Sequence, residues 1–212
     1  MKITRVVCCL FVLLLSLVAF AFTTSAPRVH AASGNTTVFR FHGLSAFAFF
    51  DNVNGCIDTS VSVDGFQNTV NKQTSSGADI FIDQFDNCAG TELLAAEGST
   101  SNPSFQIDKK LLSASLSANI LVTDFLSCNS TCNTFNVSVS VAWTSTSAIA
   151  HEQESFHFHT KGFTENAHFN ADFRDANASG TVSDGTTNFT PSPSVFAQTM
   201  SAKAVDVFIT HP

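Results

Sequence analysis

The sequence predicts an all-β protein, a single-domain antiparallel β-sandwich or barrel. Apolar and polar residues alternate in many short stretches, as they do in half-buried strands. Clusters of Gly, Asn and Asp separate these stretches at near-regular spacing, and few segments have a helical period. These observations together favour short strands joined by turns, folded around one core.

The first residues have the composition of an export signal. Basic Lys2 and Arg5 precede an apolar run over residues 6–22, and a small-x-Ala pattern ends at Ala31. We predict a signal peptide at residues 1–31 and a secreted, extracellular all-β domain at residues 32–212. A retained membrane anchor is the alternative, because the run approaches the length that spans a bilayer. No later run is long enough, so no membrane insertion is expected after signal removal.

The charge of the chain excludes one class of partner. The sequence contains 10 Lys and Arg residues and 17 Asp and Glu residues, a formal net charge of −7. Loss of the signal would remove Lys2, Arg5 and Arg28 and make the remaining chain more acidic. An acidic protein lacks the electrostatic attraction that binds nucleic acid or an anionic membrane surface. We therefore expect no nucleic-acid partner.

The first half of the domain predicts three strands, then an ambiguous segment. The strands are expected at residues 38–50, 57–63 and 79–85, with a turn at 51–55 and a polar loop at 67–77. Residues 91–97 predict either a strand or a short helix, because Leu93 to Ala96 have helical propensity.

The second half predicts further strands of the same kind. They are expected at residues 105–107, 112–125, 135–143, 156–159, 167–174 and 204–210, with a Pro-containing connection at 188–193. Alternation over residues 135–143 places Val137, Val139 and Trp143 on one face. The only tryptophan of the chain is therefore expected in the core.

The two halves share a pattern of apolar and Cys positions. Cys56, Val61, Val63, Ile80 and Ile82 have the same spacing as Cys132, Val137, Val139, Phe156 and Phe158. This similarity predicts an internal duplication, with units at about residues 38–123 and 124–212 that share one core. A solenoid would need more repeats than two.

Four cysteines remain after signal removal: Cys56, Cys88, Cys128 and Cys132. Disulfides are expected in an oxidising compartment. A hairpin formed by the strands after Cys56 and before Cys88 would bring these two residues together, which predicts the pairs Cys56–Cys88 and Cys128–Cys132. A Cys-x-x-x-Cys metal site is the alternative for the second pair, but no histidine lies near it in sequence.

Possible metal ligands concentrate in residues 151–174. Phe156 and Phe158 alternate with His157 and His159, and a similar alternation surrounds His168. A turn at residues 162–165 would place Phe158 opposite Phe169 and His159 opposite His168, with the phenylalanines facing the core.

Neutral imidazoles on one face of such a hairpin could bind a metal ion, with zinc or copper as the candidates. The predicted ligands are His157, His159 and His168, and His151, Glu152, Glu154 or Asp172 could complete the site. The alternative is that these side chains cover a solvated face, where Lys161 and Arg174 would disfavour a cation. No other cofactor is expected.

No complete catalytic constellation is visible. There is no Gly-x-Ser-x-Gly motif and no nucleophile that can be distinguished among the many Ser and Thr residues. The sequence therefore favours a secreted, disulfide-bonded, non-enzymatic binding or surface-associated module with an extracellular ligand. The alternative is a metal-binding protein or a metal-dependent enzyme that uses the His151–His168 hairpin.

Overall fold

The computed structural model describes residues 36–128 and 131–210, and the regular elements in this part are all β-strands. They are β1 Thr36–Asn54, β2 Ile57–Val70, β3 Gln73–Asp86, β4 Thr91–Thr100, β5 Ser104–Ile107, β6 Ser113–Asp124, β7 Asn133–Ser145, β8 Ala150–Thr160, β9 Phe163–Ser183 and β10 Phe196–Thr210. The predicted all-β class is confirmed. None of these residues form a helix that could cross a membrane. The predicted signal peptide lies outside the described residues.

The ten strands form one antiparallel sheet that closes on itself. The order is β10-β1-β2-β3-β4-β6-β7-β9-β8, and β9 also pairs with β10. The pairing of β9 with β10 closes eight strands into a ring, with β5 and β8 paired outside it, so the barrel alternative of the sequence prediction describes the fold best. β5 pairs with β6, and β8 pairs with β9.

The inward-facing side chains of the ring form one hydrophobic core. Trp143 is 1% exposed, and its indole N–H donates a hydrogen bond to the Phe47 carbonyl oxygen at 2.8 Å. The predicted burial of Val137, Val139 and Trp143 is confirmed. Other large buried side chains include Phe50, Ile82, Leu116, Ile120, Val63 and Val122.

The loop between β5 and β6 closes one end of this core. Leu111 is buried, and its carbonyl oxygen accepts a hydrogen bond from the Thr199 hydroxyl at 2.8 Å. The Arg174 side chain donates to the Lys110 carbonyl oxygen at 3.0 Å. These contacts join the loop to β9 and β10 at the level of residues 174 and 199.

Beyond this loop the sheet continues as a single layer, which we call the extension. It is formed by β8, the first half of β9, β10 and the start of β1. It contains residues 36–44, 150–160, 163–173 and 201–210. The side chains of β8 are exposed along nearly its whole length, so no second layer covers this edge. One face of the extension continues the inner side of the ring, and the other continues its outer side.

One local prediction was wrong, and the structure decides between the two alternatives for another segment. The polar loop expected at residues 67–77 is mostly strand, because β2 and β3 meet at a two-residue turn in which Asn71 and Lys72 have positive φ. Polar residues fit an exposed antiparallel pair, as the hydrogen bond between the Thr69 and Thr74 hydroxyls at 2.9 Å shows. Residues 91–97 belong to strand β4, since pairing with β3 overrides their helical propensity.

Both expected cysteine pairs lie at disulfide distance. Cys56 is joined to Cys88, at the open ends of the β2–β3 hairpin, and Cys128 is joined to Cys132. The hairpin places Ile57 opposite Asp86, next to the first bridge. The sequence argument for these pairs is therefore supported.

The internal duplication stays a prediction. The strands that follow Cys56 and Cys132 both bury their valines. Ile80 and Ile82 are buried as well, whereas Phe156 and Phe158, at the equivalent spacing, are 54% and 46% exposed. The proposed repeat positions thus differ in environment on β3 and β8.

Candidate functional site

The β8–β9 hairpin has a different register from the one predicted. The loop is Lys161-Gly162, so that Thr160 pairs with Phe163, His159 lies opposite Thr164 and Phe158 lies opposite Glu165. The predicted pairs His159–His168 and Phe158–Phe169 were wrong, because the turn at Lys161-Gly162 is centred two residues earlier than the turn expected at residues 162–165, which shifts the pairing by four residues. The shift is by an even number of residues, so the histidines still share one face and the phenylalanines the other.

The predicted burial of the hairpin phenylalanines was also wrong. Phe156 and Phe158 are exposed, with their rings stacked at a centroid distance of 6.5 Å. Phe169 and Phe173 are half-buried. The reason is that β8 is the edge of a single-layer extension, where neither face meets a second sheet.

Each histidine of the hairpin is hydrogen-bonded through Nδ1 to the residue opposite it on the other strand. His151 contacts Asp172 Oδ1 at 2.6 Å, His157 contacts Asn166 Oδ1 at 2.6 Å, His159 contacts Thr164 Oγ1 at 2.7 Å and His168 contacts Ser155 Oγ at 3.0 Å. We call this side of the hairpin the histidine face. It continues the inner side of the ring and is open to solvent.

The predicted ligands do not converge within one chain. His159 lies four residues from Ser155, the residue opposite His168, which is about 13 Å along the strand. Within the described residues, the His, Cys and carboxylate groups close enough to share an ion are Cys56, Asp86 and Cys88, and both cysteines are in a disulfide. Metal binding by the histidine face stays a prediction.

The outer side of β1 to β4 and β8 to β10 has a different composition. Alternation and register place two kinds of side chain on it, many of them half-buried among one another. The aromatic ones are Phe39, Phe41, Phe47, Phe49, Phe66, Phe81, Phe85, Phe156, Phe158, Phe163, Phe169, Phe173, Phe196 and Phe208. The acidic ones are Asp51, Asp58, Asp64, Asp79, Asp83, Glu92, Glu97, Glu152, Glu154, Glu165, Asp175 and Asp206. We call this surface the acidic aromatic face.

Basic side chains are absent from the described part of this face. Arg40, Arg174 and Lys203 lie at positions of the opposite parity on their strands, and Lys72 and Lys161 lie in turns. The carboxylates therefore lack compensating cations on their own surface. The acidic aromatic face is therefore both negatively charged and apolar.

The crowding of these carboxylates changes their pKa values. Burial raises the pKa of Asp64 well above its usual value, and the neighbouring Asp79, opposite it across β2 and β3, raises it further. Burial and then the charge of Glu97 raise the pKa of Asp79. These shifts show that ionising the cluster opposes folding.

Two further carboxyl groups on this face behave alike. Burial raises the pKa of Asp83, with Glu92 and Asp58 as smaller causes, and burial also raises the pKa of Asp206, with Glu165 as the next cause. One oxygen each of Asp58, Asp83 and Asp206 is shielded from solvent and accepts no hydrogen bond from another protein group. Each of these oxygens therefore adds to the free-energy cost of burying its carboxyl group.

The raised pKa of Asp64 predicts a pH-dependent effect of its removal. The folded protein holds this proton to higher pH than the unfolded chain, so the carboxyl costs stability as pH rises from about 4 through the raised pKa. Asp64→Asn is therefore expected to raise Tm at pH 7 by about 2 to 4 °C, equivalent to roughly 1 kcal/mol. The gain should vanish near pH 4, measured by thermal unfolding followed by circular dichroism.

Asp184 provides the matched control with the opposite sign. Hydrogen bonds from the Thr187 and Thr186 groups lower the pKa of Asp184. Asp184→Asn should therefore lower Tm at pH 7. A pH-independent gain for Asp64→Asn, or a loss at pH 7, would contradict the assigned cause.

A shallow groove of ≈ 330 Å³ lies on the outer side of β6, β7 and β9. Its lining includes Ser104, Ser115, Ser117, Ser140 and Ser179. No histidine, carboxylate or thiol is among the described residues that line it. The serine hydroxyls of the groove therefore have no imidazole or carboxylate beside them among the described lining residues to act as a general base.

Sequence reasoning missed the acidic aromatic face. The signal was present, since Phe and acidic residues share strand parity in segments such as residues 81–85 and 152–158. The phenylalanines were interpreted as core residues because of their hydrophobicity. Only the register across several strands shows that they lie side by side on an outer surface.

Comparisons with known proteins identify no family. No protein-family model matches the chain, and no curated protein sequence matches it. The chain is similar to a crystal structure from Nitrosomonas europaea that is provisionally assigned as AttH, with 6% identity and a TM-score of 0.27 over 82% of this chain. The chain spans about half the length of that protein, 52%. A similarity at this level supports no argument about function.

Proposed function

We propose that the chain is a secreted, non-enzymatic binding module whose acidic aromatic face holds a cationic, amphipathic polypeptide. The observation that carries the proposal is the alternation of Phe rings with carboxylates on one continuous outer surface without Lys, Arg or His among its described positions. A surface on which several large apolar side chains are exposed side by side is typical of an interaction site.

The exposed rings favour a partner that contains apolar side chains. Phe81 is 40% exposed, Phe85 38%, Phe156 54% and Phe158 46%. Rings on a sheet are held by their neighbours, so little conformational entropy is lost when a partner covers them. Their faces also attract Lys and Arg side chains through cation–π interactions.

The carboxylates favour a partner that also contains basic side chains. Glu152, Glu154 and Asp175 are exposed carboxylates of this face, and an ammonium or guanidinium group can donate hydrogen bonds to them. A bound cation would also relieve the repulsion that raises the pKa of Asp64 and Asp79. A partner with Lys or Arg beside apolar residues would satisfy both requirements.

Secretion is part of the same proposal. Two disulfides favour an oxidising compartment, in agreement with the export signal expected at residues 1–31. The acidic surface disfavours nucleic acid and anionic membrane as partners.

Peptide binding tests the proposal directly. A synthetic amphipathic Lys/Leu peptide is expected to bind with micromolar affinity, on the order of −8 kcal/mol, and a Glu/Leu peptide of equal length should not bind. Increasing salt should weaken the binding, because it screens the charge component. Isothermal titration calorimetry at several salt concentrations provides the measurement.

Variants locate the binding surface. Phe81→Ser and Asp83→Asn are each expected to weaken binding of the Lys/Leu peptide about tenfold, equivalent to ~1.4 kcal/mol. Leu112→Ser is the matched control, since Leu112 is 48% exposed but lies outside the acidic aromatic face. Equal binding of the two peptides, or loss of binding in the Leu112 variant alone, would contradict the proposal.

Metal binding by the histidine face is a second candidate function, with Zn²⁺ or Cu²⁺ as the ion. The observation that favours it is the hydrogen bonding of the imidazoles. Nδ1 of His157 contacts the Asn166 amide oxygen and Nδ1 of His151 contacts an Asp172 carboxylate oxygen. Both oxygens are acceptors, so a neutral imidazole that donates Nδ1–H here has its Nε2 lone pair available for a metal ion. Metal-ligating histidines commonly have this arrangement. Titration of metal-free protein with either ion tests it.

A further inference from the structure

β8 is an edge strand whose outer side has no partner in the described part of the chain. It pairs with β9 from Ala150 to Thr160, and the strand order ends with it. Its residues are exposed almost throughout, and it contains no proline or lysine. Such an edge presents backbone N–H and C=O groups that can pair with another strand.

We infer that this edge pairs with the same edge of a second copy of the chain, antiparallel and centred on His157, and that Zn²⁺ bound between the two copies strengthens the pairing. The inference rests on the metal-binding candidate above and does not require peptide binding by the acidic aromatic face, although the copy and the peptide would compete for Phe156 and Phe158. The described residues supply no set of converging ligands on the histidine face of one chain, and the copy would supply further imidazoles.

The phenylalanines select this register. With His157 opposite His157 of the copy, Phe156 lies opposite Phe158 of the copy, and the reverse pair forms by symmetry. The two rings already stack within one chain at 6.5 Å, and the copy would add two more. Pairing centred on Ser155 would instead place each phenylalanine opposite a glutamate. Burial of exposed rings therefore favours the centre at His157.

Charge does not oppose the same register. Glu154 lies opposite Thr160 of the copy and Glu152 opposite Gly162, so the carboxylates of β8 meet no like charge directly across the junction.

The two copies of His157 can share one ion. Directly opposed residues have Cβ atoms about 4.5 to 5.5 Å apart. Nδ1 of His157 contacts Asn166 on β9, so Nε2 points away from β9, toward the free edge. His159 of each copy lies on the same face, two residues along, where it can add a ligand. Two or more imidazoles then meet the preference of zinc for nitrogen ligands.

Sedimentation of metal-free protein with and without zinc chloride tests the inference. The parent is expected to shift from monomer to dimer on addition of zinc, and EDTA should reverse the shift. His157→Ala should need at least about tenfold more zinc for the same dimer fraction, the effect typical of losing a ligand or its support. His151→Ala is the matched control, because His151 lies on the same face but outside the overlap, and it should respond as the parent does.

Two further variants complete the test. Phe158→Glu should prevent dimer formation with or without zinc, while circular dichroism confirms that each variant is folded. His157→Ala should bind the Lys/Leu peptide as the parent does. Failure of the dimer proposal can therefore be distinguished from failure of the peptide-binding proposal. Zinc binding without a change in mass, or an unchanged zinc response in His157→Ala, would overturn the inference.

Discussion

Replacing Gly180 with alanine is expected to prevent the sheet from closing. Gly180 lies in β9 opposite Val141, with φ +155, a conformation that residues with a Cβ atom rarely adopt. An added Cβ would lie 2.0 Å from the Ser140 carbonyl oxygen and 2.8 Å from the Val141 Cα atom. Both are backbone atoms of β7, so the clash can be relieved only by separating the two strands.

The expected loss for Gly180→Ala exceeds about 4 kcal/mol, the range in which single substitutions are exceptional. Soluble yield and thermal unfolding measure it. Gly162→Ala is the matched control, because nothing lies within 4 Å of its added Cβ and its φ is not in the positive range. A Gly180→Ala protein that melts like the parent would show that β7 and β9 do not pair at this point.

Trp143→Ala is expected to cost about 3 to 5 kcal/mol, as for other large aromatic residues removed from a core. The side chain is 1% exposed, and its N–H contacts the Phe47 carbonyl oxygen, which joins β7 to β1 across the interior. The substitution removes the packed ring and leaves that oxygen without its donor. Urea unfolding of the parent and variant gives the difference in free energy.

Two variants separate the causes of the Trp143 effect. Trp143→Phe retains most of the packing and should cost less than the alanine substitution. Phe158→Ala, in which a 46% exposed ring is removed, should cost under about 1 kcal/mol because little burial is lost. Equal losses for Trp143→Ala and Phe158→Ala would contradict the assignment of core and surface.

Alternation in the sequence was sufficient to predict the strand class and the two faces of each strand. Val137, Val139 and Trp143 share a face in the sequence and are buried together in the structure. The Cys56–Cys88 pair followed from a hairpin with strands of equal length. Both inferences depend on local patterns, which one sequence contains.

The covered face and the register could not be predicted, because they depend on contacts between distant strands. Alternation separates Phe158 from His157 but does not show which side meets a second layer. The turn lies two residues earlier in the chain than expected, which separates His159 from His168. The ring closes because β9 pairs with both β7 and β10, and β9 also pairs with β8 outside the ring. No local signal in the sequence of β9 indicates three partners.

The most direct test of the binding function is an NMR titration of protein labelled at phenylalanine with the Lys/Leu peptide. The account predicts that the ring signals of Phe81, Phe85, Phe156 and Phe158 shift on binding, while those of the buried Phe50 and Phe189 stay in place. The imidazole signals of the histidine face should also stay unchanged. Shifts confined to the histidines, or rings on the acidic aromatic face that do not respond to bound peptide, would contradict the account.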